Sequence, residues 1–217
     1  MSSDDGRWFL VVPVKRLAAA KTRLGPPYDH DRAELALAFA LDTAAAALAC
    51  PAVDAVVAVT DDPTAAAALR DVGAEVVADE PDAGLNPALT HGASVAAGSW
   101  PGRGAGALSA DLPGLRPDEL AAVLVRAAAH GRSFVRDAEG SGTTLVLARS
   151  AADLRPSFGP GSAGRHAGSG MTDLTSEDVM SVRRDVDTAA DLDLARASGL
   201  GPRTTRLLER LRGAGLG

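Results

Sequence analysis

The sequence predicts an α/β fold on a mostly parallel sheet, and three observations carry that prediction. Short apolar runs of strand length alternate with longer helical patterns from Phe9 to Ala148, the signature of βα units. The 217 residues suit a single domain, 1–217, with a sizeable core. Hydrophobic content is 46% against 3% aromatic, so that core is built from Ala, Val and Leu, and the chain is not a disordered one.

Taken in order, Phe9 to Val14 is a buried-strand run ended by Pro13-Val14-Lys15. Asp31 is placed to cap a long helix from Arg32 to Ala49, closed by Pro51. Val53 to Val59 is a β-branched strand, and Asp62 with Pro63 opens a helix that Gly73 stops after Val72. Glu75 to Ala78 reads as a short strand and Leu85 to Ala97 as a helix. Ala105 to Leu108 is a strand ending at Ser109-Ala110-Asp111. Pro117-Asp118-Glu119 starts a helix that lasts to His130-Gly131. Ser133 to Arg136 and Thr144 to Ala148 are strands around Gly140-Ser141-Gly142. Beyond Arg149 the pattern loosens into Gly/Pro/Ser-rich sequence up to Gly170. A last strand is expected from Val179 to Val186, then a helix from Thr188 to Ala197.

Charge and composition exclude several function classes. With 28 acidic and 22 basic residues, net charge −6, and no basic face or tail, the chain is not built to neutralise nucleic-acid phosphates. Cys50 is the only cysteine, which excludes an intramolecular disulfide and a cysteine zinc cluster. The start, Met1-Ser2-Ser3-Asp4-Asp5-Gly6, is acidic where a signal peptide is basic. The most apolar stretch, Ala33 to Cys50, is interrupted by Glu34 and Asp42 and is too short to span a bilayer. The expectation is a soluble cytoplasmic protein without a membrane partner.

In open parallel sheets ligands bind outside the carboxyl ends of the strands, so the chemistry is sought after each strand. Only two of the 22 basic residues are lysines, and both, Lys15 and Lys21, follow the first strand beside Arg16 and Arg23. Lysine is a compact point charge suited to phosphate oxygens; the alternative is a solvated basic loop. There is no Walker A sequence and no dinucleotide fingerprint, since Gly102-Arg103-Gly104-Ala105-Gly106 precedes a strand.

Asp111 ends the fourth strand and is held by the turn Leu112-Pro113-Gly114; a second carboxylate pair is Asp185 and Asp187. Magnesium takes oxygen ligands, commonly one or two carboxylates plus substrate phosphates, so Asp111 and Asp187 are candidate metal ligands. Asp187 can equally be the N-cap of the last helix. Two segments suit anions: Gly140-Ser141-Gly142-Thr143-Thr144, and Phe158-Gly159-Pro160-Gly161-Ser162, where Ser162 can cap a short helix. His166 is a lone histidine without metal-ligand spacing. No Gly-x-Ser-x-Gly elbow or Cys/His pair offers a covalent nucleophile.

Val12-Pro13-Val14-Lys15, Ala20-Lys21-Thr22-Arg23-Leu24, Gly84-Leu85-Asn86-Pro87, Ser109-Ala110-Asp111-Leu112-Pro113, Gly142-Thr143-Thr144-Leu145, Phe158-Gly159-Pro160-Gly161-Ser162 and Asp185-Val186-Asp187-Thr188 occur in this order. Together they resemble the phosphoenolpyruvate/2-phospho-L-lactate guanylyltransferases of coenzyme F-420 biosynthesis, relatives of the molybdenum-cofactor guanylyltransferases. The resemblance implies a Rossmann-like, GT-A-like nucleotidyltransferase domain with a mostly parallel sheet flanked by helices. It implies transfer of GMP from GTP to a phosphorylated three-carbon acid, with pyrophosphate released and a downstream transferase taking the product. By motif match, Thr144, Gly159 and Ser162 would bind the acceptor. Asp111 and Asp187 would carry magnesium, two ions in all. Lys15, Lys21 and Arg23 would meet the triphosphate, and Asn86 the guanosine; Lys15, Lys21 and Asp111 would be catalytic. Pterin-cofactor or sugar-phosphate nucleotidyltransfer and a non-catalytic nucleotide-binding module are the alternatives. Pro-Val-Lys stands here where the former enzymes carry a Gly-Gly loop.

Overall fold

A computed structural model describes residues 6–80 and 82–213, so the acidic Met1–Asp5 start lies outside the described residues. The strands are β1 (Trp8–Pro13), β2 (Val53–Val59), β3 (Glu75–Val77), β4 (Gly104–Leu108), β5 (Arg132–Arg136), β6 (Thr143–Ala148) and β7 (Thr172–Asp173). They form one sheet in the order β3-β2-β1-β4-β6-β5-β7. Every neighbouring pair is parallel except the two involving β6, which turns back after β5 across the Gly140-Ser141-Gly142 turn. The expectation of a mostly parallel sheet is met.

Helices cover both faces: α1 (Arg32–Leu48), α2 (Pro63–Asp71), α3 (Leu85–Ser99), α4 (Pro117–Ala127), α5 (Ser162–Gly168), α6 (Met180–Arg183), α7 (Ala189–Ser198) and α8 (Pro202–Gly213). Alternation along β1 sorts the core, since successive side chains of a strand point to opposite faces. Leu10 and Val12 join Ala40, Ala44 and Ala47 of α1 and Leu120, Val123 and Leu124 of α4. Phe9 and Val11 join Ala88, Leu89, Ala93 and Ala96 of α3 on the other face. Small residues let these helices come close. A Cβ on Gly92 of α3 would sit 2.5 Å from Val59 and 2.7 Å from Val11, so only glycine fits there.

The expected strand from Val179 to Val186 is not a strand. Glu177–Val179 is a short 3₁₀ turn that runs into α6, and the chain is irregular from Arg184 to Asp187. Val179, Val182 and Val186 are all fully buried, a spacing of three and four that the two-residue alternation of a strand cannot give. A strand would have buried Arg183 or Arg184 instead. Among the caps, Asp62 accepts from the amides of Thr64 and Ala65 as expected, whereas Asp31 stands at the start of α1 without a side-chain cap bond. Ser162 does not cap α5: Gly161, in the left-handed region at φ 70°, is the N-cap. Thr188, not Asp187, caps α7 through a capping box with Asp191.

Residues 202–213, for which no element was expected, form α8. It packs Leu207, Leu208 and Leu211 against Leu35 and Phe39 of α1. Its first turn is capped from a distance: the buried Asp42 carboxylate of α1 accepts from the Arg203 amide at 3.1 Å and the Thr204 amide at 2.8 Å. Among the described residues, no helix is long and apolar enough to cross a membrane.

Candidate active site

Strand order places the site. From β1 the chain moves outward to β2 and β3, then returns to lay β4 on the opposite side of β1. The crevice outside the carboxyl ends of β1 and β4 is therefore the switch point of the sheet, where open α/β folds bind ligands. The lysine loop leaves β1 there, and Ser109-Ala110-Asp111 leaves β4. The Val186 amide donates to the Asp111 carbonyl at 3.0 Å, which brings Asp185 and Asp187 to the same place.

At the centre stands Lys21, whose backbone is in the left-handed region at φ 53°, uncommon for a side chain other than glycine. Its ammonium donates to Asp111 Oδ2 at 2.5 Å and to Asp187 Oδ1 at 3.0 Å. Arg23 donates to the other oxygen of Asp187. Burial works against charge on Lys21, but Asp111 and Asp187 outweigh it and hold the ammonium above its ordinary pKa. Burial likewise opposes charge on Asp187, and Lys21, Arg23 and Lys15 overcome it, keeping that carboxyl below the usual range. Among the described residues Asp185 has no such partner. Burial first, then Asp111, Asp187 and Asp137, pushes its carboxyl up to about 8.

Two cavities meet along this cluster. A smaller one of 320 Å³ is lined by Lys15, Lys21, Ser109 and Asp111. A larger one of 710 Å³ lies beyond it, lined by Gly142, Thr143, Gly159, Ser162, Arg184 and Asp185. Arg23, Leu85 and Asp187 border both. The Asp185/Asp187 pair faces the larger cavity while Val186 is buried behind it, the arrangement expected from strand alternation but reached by an irregular segment.

The two anion segments are knitted together. The Ala163 amide donates to the Ser141 carbonyl at 3.2 Å, and Ser162 Oγ donates to Thr143 Oγ1 at 3.1 Å. Arg165 donates to the carbonyls of Ser157, Gly159 and Pro160, clamping the loop from outside. Gly142 is pressed onto Asp137, whose Oδ2 accepts from its amide at 2.7 Å, so a Cβ at Gly142 would collide with that carboxylate.

Lys15, Lys21, Arg23, Asp111, Asp187, Gly159 and Ser162 are thus brought to one crevice. Two other sequence-predicted residues are placed differently. Thr144 is fully buried, its hydroxyl without a partner among the described residues, and does not line the cavity; its neighbour Thr143 does. Asn86 spends its amide on the backbone of Phe158, accepting at 2.8 Å and donating at 3.2 Å, and so ties the start of α3 to the glycine loop. Sequence reasoning missed Thr143 as the wall residue, the Arg165 clamp and the role of His166, which is buried and bonded to Thr143 of one anion segment and to Ser157 just before the other. No local pattern signals them, because each acts across 8 to 23 residues or through a backbone carbonyl.

Asp111 and Asp187 already hold a cationic ammonium between them, so their chemistry suits a divalent cation. Among the described residues no three His, Cys, Asp or Glu side chains gather into a metal shell; substrate oxygens would have to complete it, as is usual for magnesium.

The chain resembles known proteins both in sequence and in fold. Residues 32–169 match the model of the MobA-like NTP transferase domain. The phosphoenolpyruvate guanylyltransferase of Thermomonospora curvata is 55% identical over 94% of this chain and 90% of its own length. That of Streptomyces coelicolor is 53% identical over 96% and 99%. Two solved structures share the fold at low identity. One, from Desulfovibrio desulfuricans and assigned to the nucleotide-diphospho-sugar transferases, has a TM-score of 0.69 at 16% identity, covering 93% of this chain and 94% of that one. The other, a Mycobacterium tuberculosis protein in complex with manganese, has a TM-score of 0.55 at 21% identity, covering 89% and 100%. With the crevice at the β1/β4 switch point, these matches establish that the chain belongs to the phosphoenolpyruvate guanylyltransferases, enzymes of the MobA-like NTP transferase family.

Proposed function

We propose that the protein transfers GMP from GTP to the phosphate of phosphoenolpyruvate, releasing pyrophosphate, as a step in coenzyme F-420 biosynthesis. The observation that carries this reading is the junction of the two cavities, where Lys21 bridges Asp111 and Asp187. In it, a phosphate oxygen of the acceptor attacks the α-phosphorus of GTP, and the bond to the bridging oxygen of the β-phosphate breaks. Such a transfer needs charge cancellation and in-line placement rather than a protein nucleophile. The acceptor phosphate is already deprotonated near neutral pH, so no general base is required.

The lysine loop binds the triphosphate through Lys15, Lys21 and Arg23, and Lys21, Lys15 and Asp111 carry the catalytic charge. Asn86 supports the nucleotide side by fixing the start of α3. Gly159 and Ser162 hold the acceptor, and Thr143, which lines the larger cavity, takes the place expected of the buried Thr144. Asp111 and Asp187 hold magnesium, in our reading two ions, which when bound supply Lewis-acid neutralisation of the triphosphate. The reading also takes residues 1–217 as a single nucleotidyltransferase domain working in the cytoplasm, with a downstream transferase receiving the product.

The test is pyrophosphate release from GTP and magnesium with phosphoenolpyruvate and 2-phospho-L-lactate in turn. Release with phosphoenolpyruvate at the higher kcat/KM is expected. Release only with a pterin cofactor or a sugar phosphate, or with no acceptor at all, would overturn the assignment.

A further inference from the structure

His166 is fully buried, lines neither cavity, and touches Thr143 and the Phe158 ring, one from each segment that walls the larger one. Its Nε2 accepts from the Ser157 amide at 3.0 Å, so that nitrogen carries no proton. Nδ1 lies 3.0 Å from Thr143 Oγ1. In the neutral ring the proton must then be on Nδ1, and the imidazole donates to the threonine. Burial, then the neighbouring Arg165 charge, lowers the His166 pKa to about 4, which keeps the ring neutral at physiological pH.

A proton count follows from this tautomer. Thr143 and Ser162 bring two hydroxyl protons, and one of them fills the Ser162–Thr143 hydrogen bond. Because the imidazole supplies its own proton to Thr143, the second hydroxyl proton is not consumed by an acceptor among the described residues. Both residues border the larger cavity, which is where it can go. With the opposite tautomer, Thr143 would have to donate into the ring and the pair would offer the cavity only lone pairs, repelling an anion. We infer that His166 is a positioning residue: through its hydrogen bonds to Thr143 and Ser157 it orients the Thr143/Ser162 hydroxyl pair as a donor toward the anionic group of the acceptor. The inference rests on the acceptor occupying this cavity, as proposed above.

Two substitutions separate the ring's two contacts. Asparagine places an N–H near the Nδ1 position, and glutamine places its amide near Nε2. For His166→Gln, pyrophosphate release at saturating GTP is expected to show an acceptor KM raised about tenfold or more, the loss of one donor to a charged group. KM for GTP should stay within about twofold of wild type. His166→Asn, the conservative variant, is expected to recover most of the acceptor KM. In the double variant with Thr143→Val, His166→Gln should add little to the defect of Thr143→Val alone, because both remove the same contact. Equal KM defects in the two His166 variants, a matching rise in KM for GTP, or additivity in the double variant would overturn the inference.

A wild-type measurement stands if the variants fail to fold. ¹⁵N shifts of the His166 ring are expected to report the Nδ1–H tautomer between pH 6 and 8, and the Nε2–H tautomer would contradict the proposal. If wild-type protein releases no pyrophosphate with phosphoenolpyruvate, the functional reading fails instead, and the tautomer is still tested.

Discussion

Lys21 is the residue on which the site turns. It is one of only two lysines, it takes a left-handed backbone, and it neutralises two carboxylates from elements 90 and 166 positions away. Lys21→Ala is expected to lower kcat/KM for GTP by about 10²-fold or more. Its effect on stability should stay near 1–2 kcal/mol, because the carboxylates it leaves are 24% and 38% exposed and therefore screened. Urea unfolding beside steady-state kinetics checks the pair; a stability loss that accounts for the lost activity would contradict it. Asp187→Asn should raise the magnesium concentration for half-maximal activity by about tenfold or more, since loss of even an outer-shell partner of a metal ligand costs about that much, and an unchanged titration would count against that role. His166 gives a pH signature. Its folded pKa of about 4 lies below the ordinary 6.5, so the unfolded state binds more protons between those values. The stability it carries is complete above about pH 6.5 and is lost as pH falls toward 4, about 3 kcal/mol at 1.4 kcal/mol per pH unit. Midpoints of urea unfolding at pH 7, 5.5 and 4.5 should converge on those of His166→Asn as pH falls.

At the scale of elements, what was legible followed local chemistry. Asp62-Pro63 announces α2, and Pro117 with its acidic first turn announces α4, because cap and macrodipole terms reside in a few adjacent residues. The segment from Val179 to Val186 misled because a β-branched run reads as a strand until the spacing of its buried valines is weighed. Helix α8 was missed although Leu207, Leu208 and Leu211 carry a helical period; its cap, Asp42, is supplied from 161 residues earlier and is invisible locally. Asp42→Ala should therefore unseat α8, costing about 2–4 kcal/mol for a buried and a part-buried amide contact and an Arg203 ion pair. Faster amide exchange across 202–213 than across α4 in that variant would check it. The site divides the same way. Lysines, aspartates and glycine loops were readable as residue types after strands. The commitment of Asn86 to Phe158, and the exchange of Thr143 for Thr144 on the cavity wall, depend on packing between distant segments.

The whole molecule reconciles an acidic protein with anionic substrates. A net charge of −6 sets no attraction for polyanions at long range. In the proposed reading capture is local, in a crevice where Lys15, Lys21, Arg23 and Arg184 line the walls and the sheet's switch point gathers them. The division into two cavities with a shared border fits a reaction in which two phosphorylated molecules approach end to end, with charge concentrated where they meet. Raising ionic strength should accordingly change KM only modestly, since the charges act at contact distance and Lys21 and Arg184 do so from partly buried positions. The account stands or falls on the bond that is made. ³¹P NMR of the protein incubated with GTP, magnesium and phosphoenolpyruvate should show free pyrophosphate, together with two coupled resonances of a new diphosphate joining GMP to the acceptor's phosphate. Free pyrophosphate without that coupled pair, or unchanged GTP and phosphoenolpyruvate signals, would contradict it.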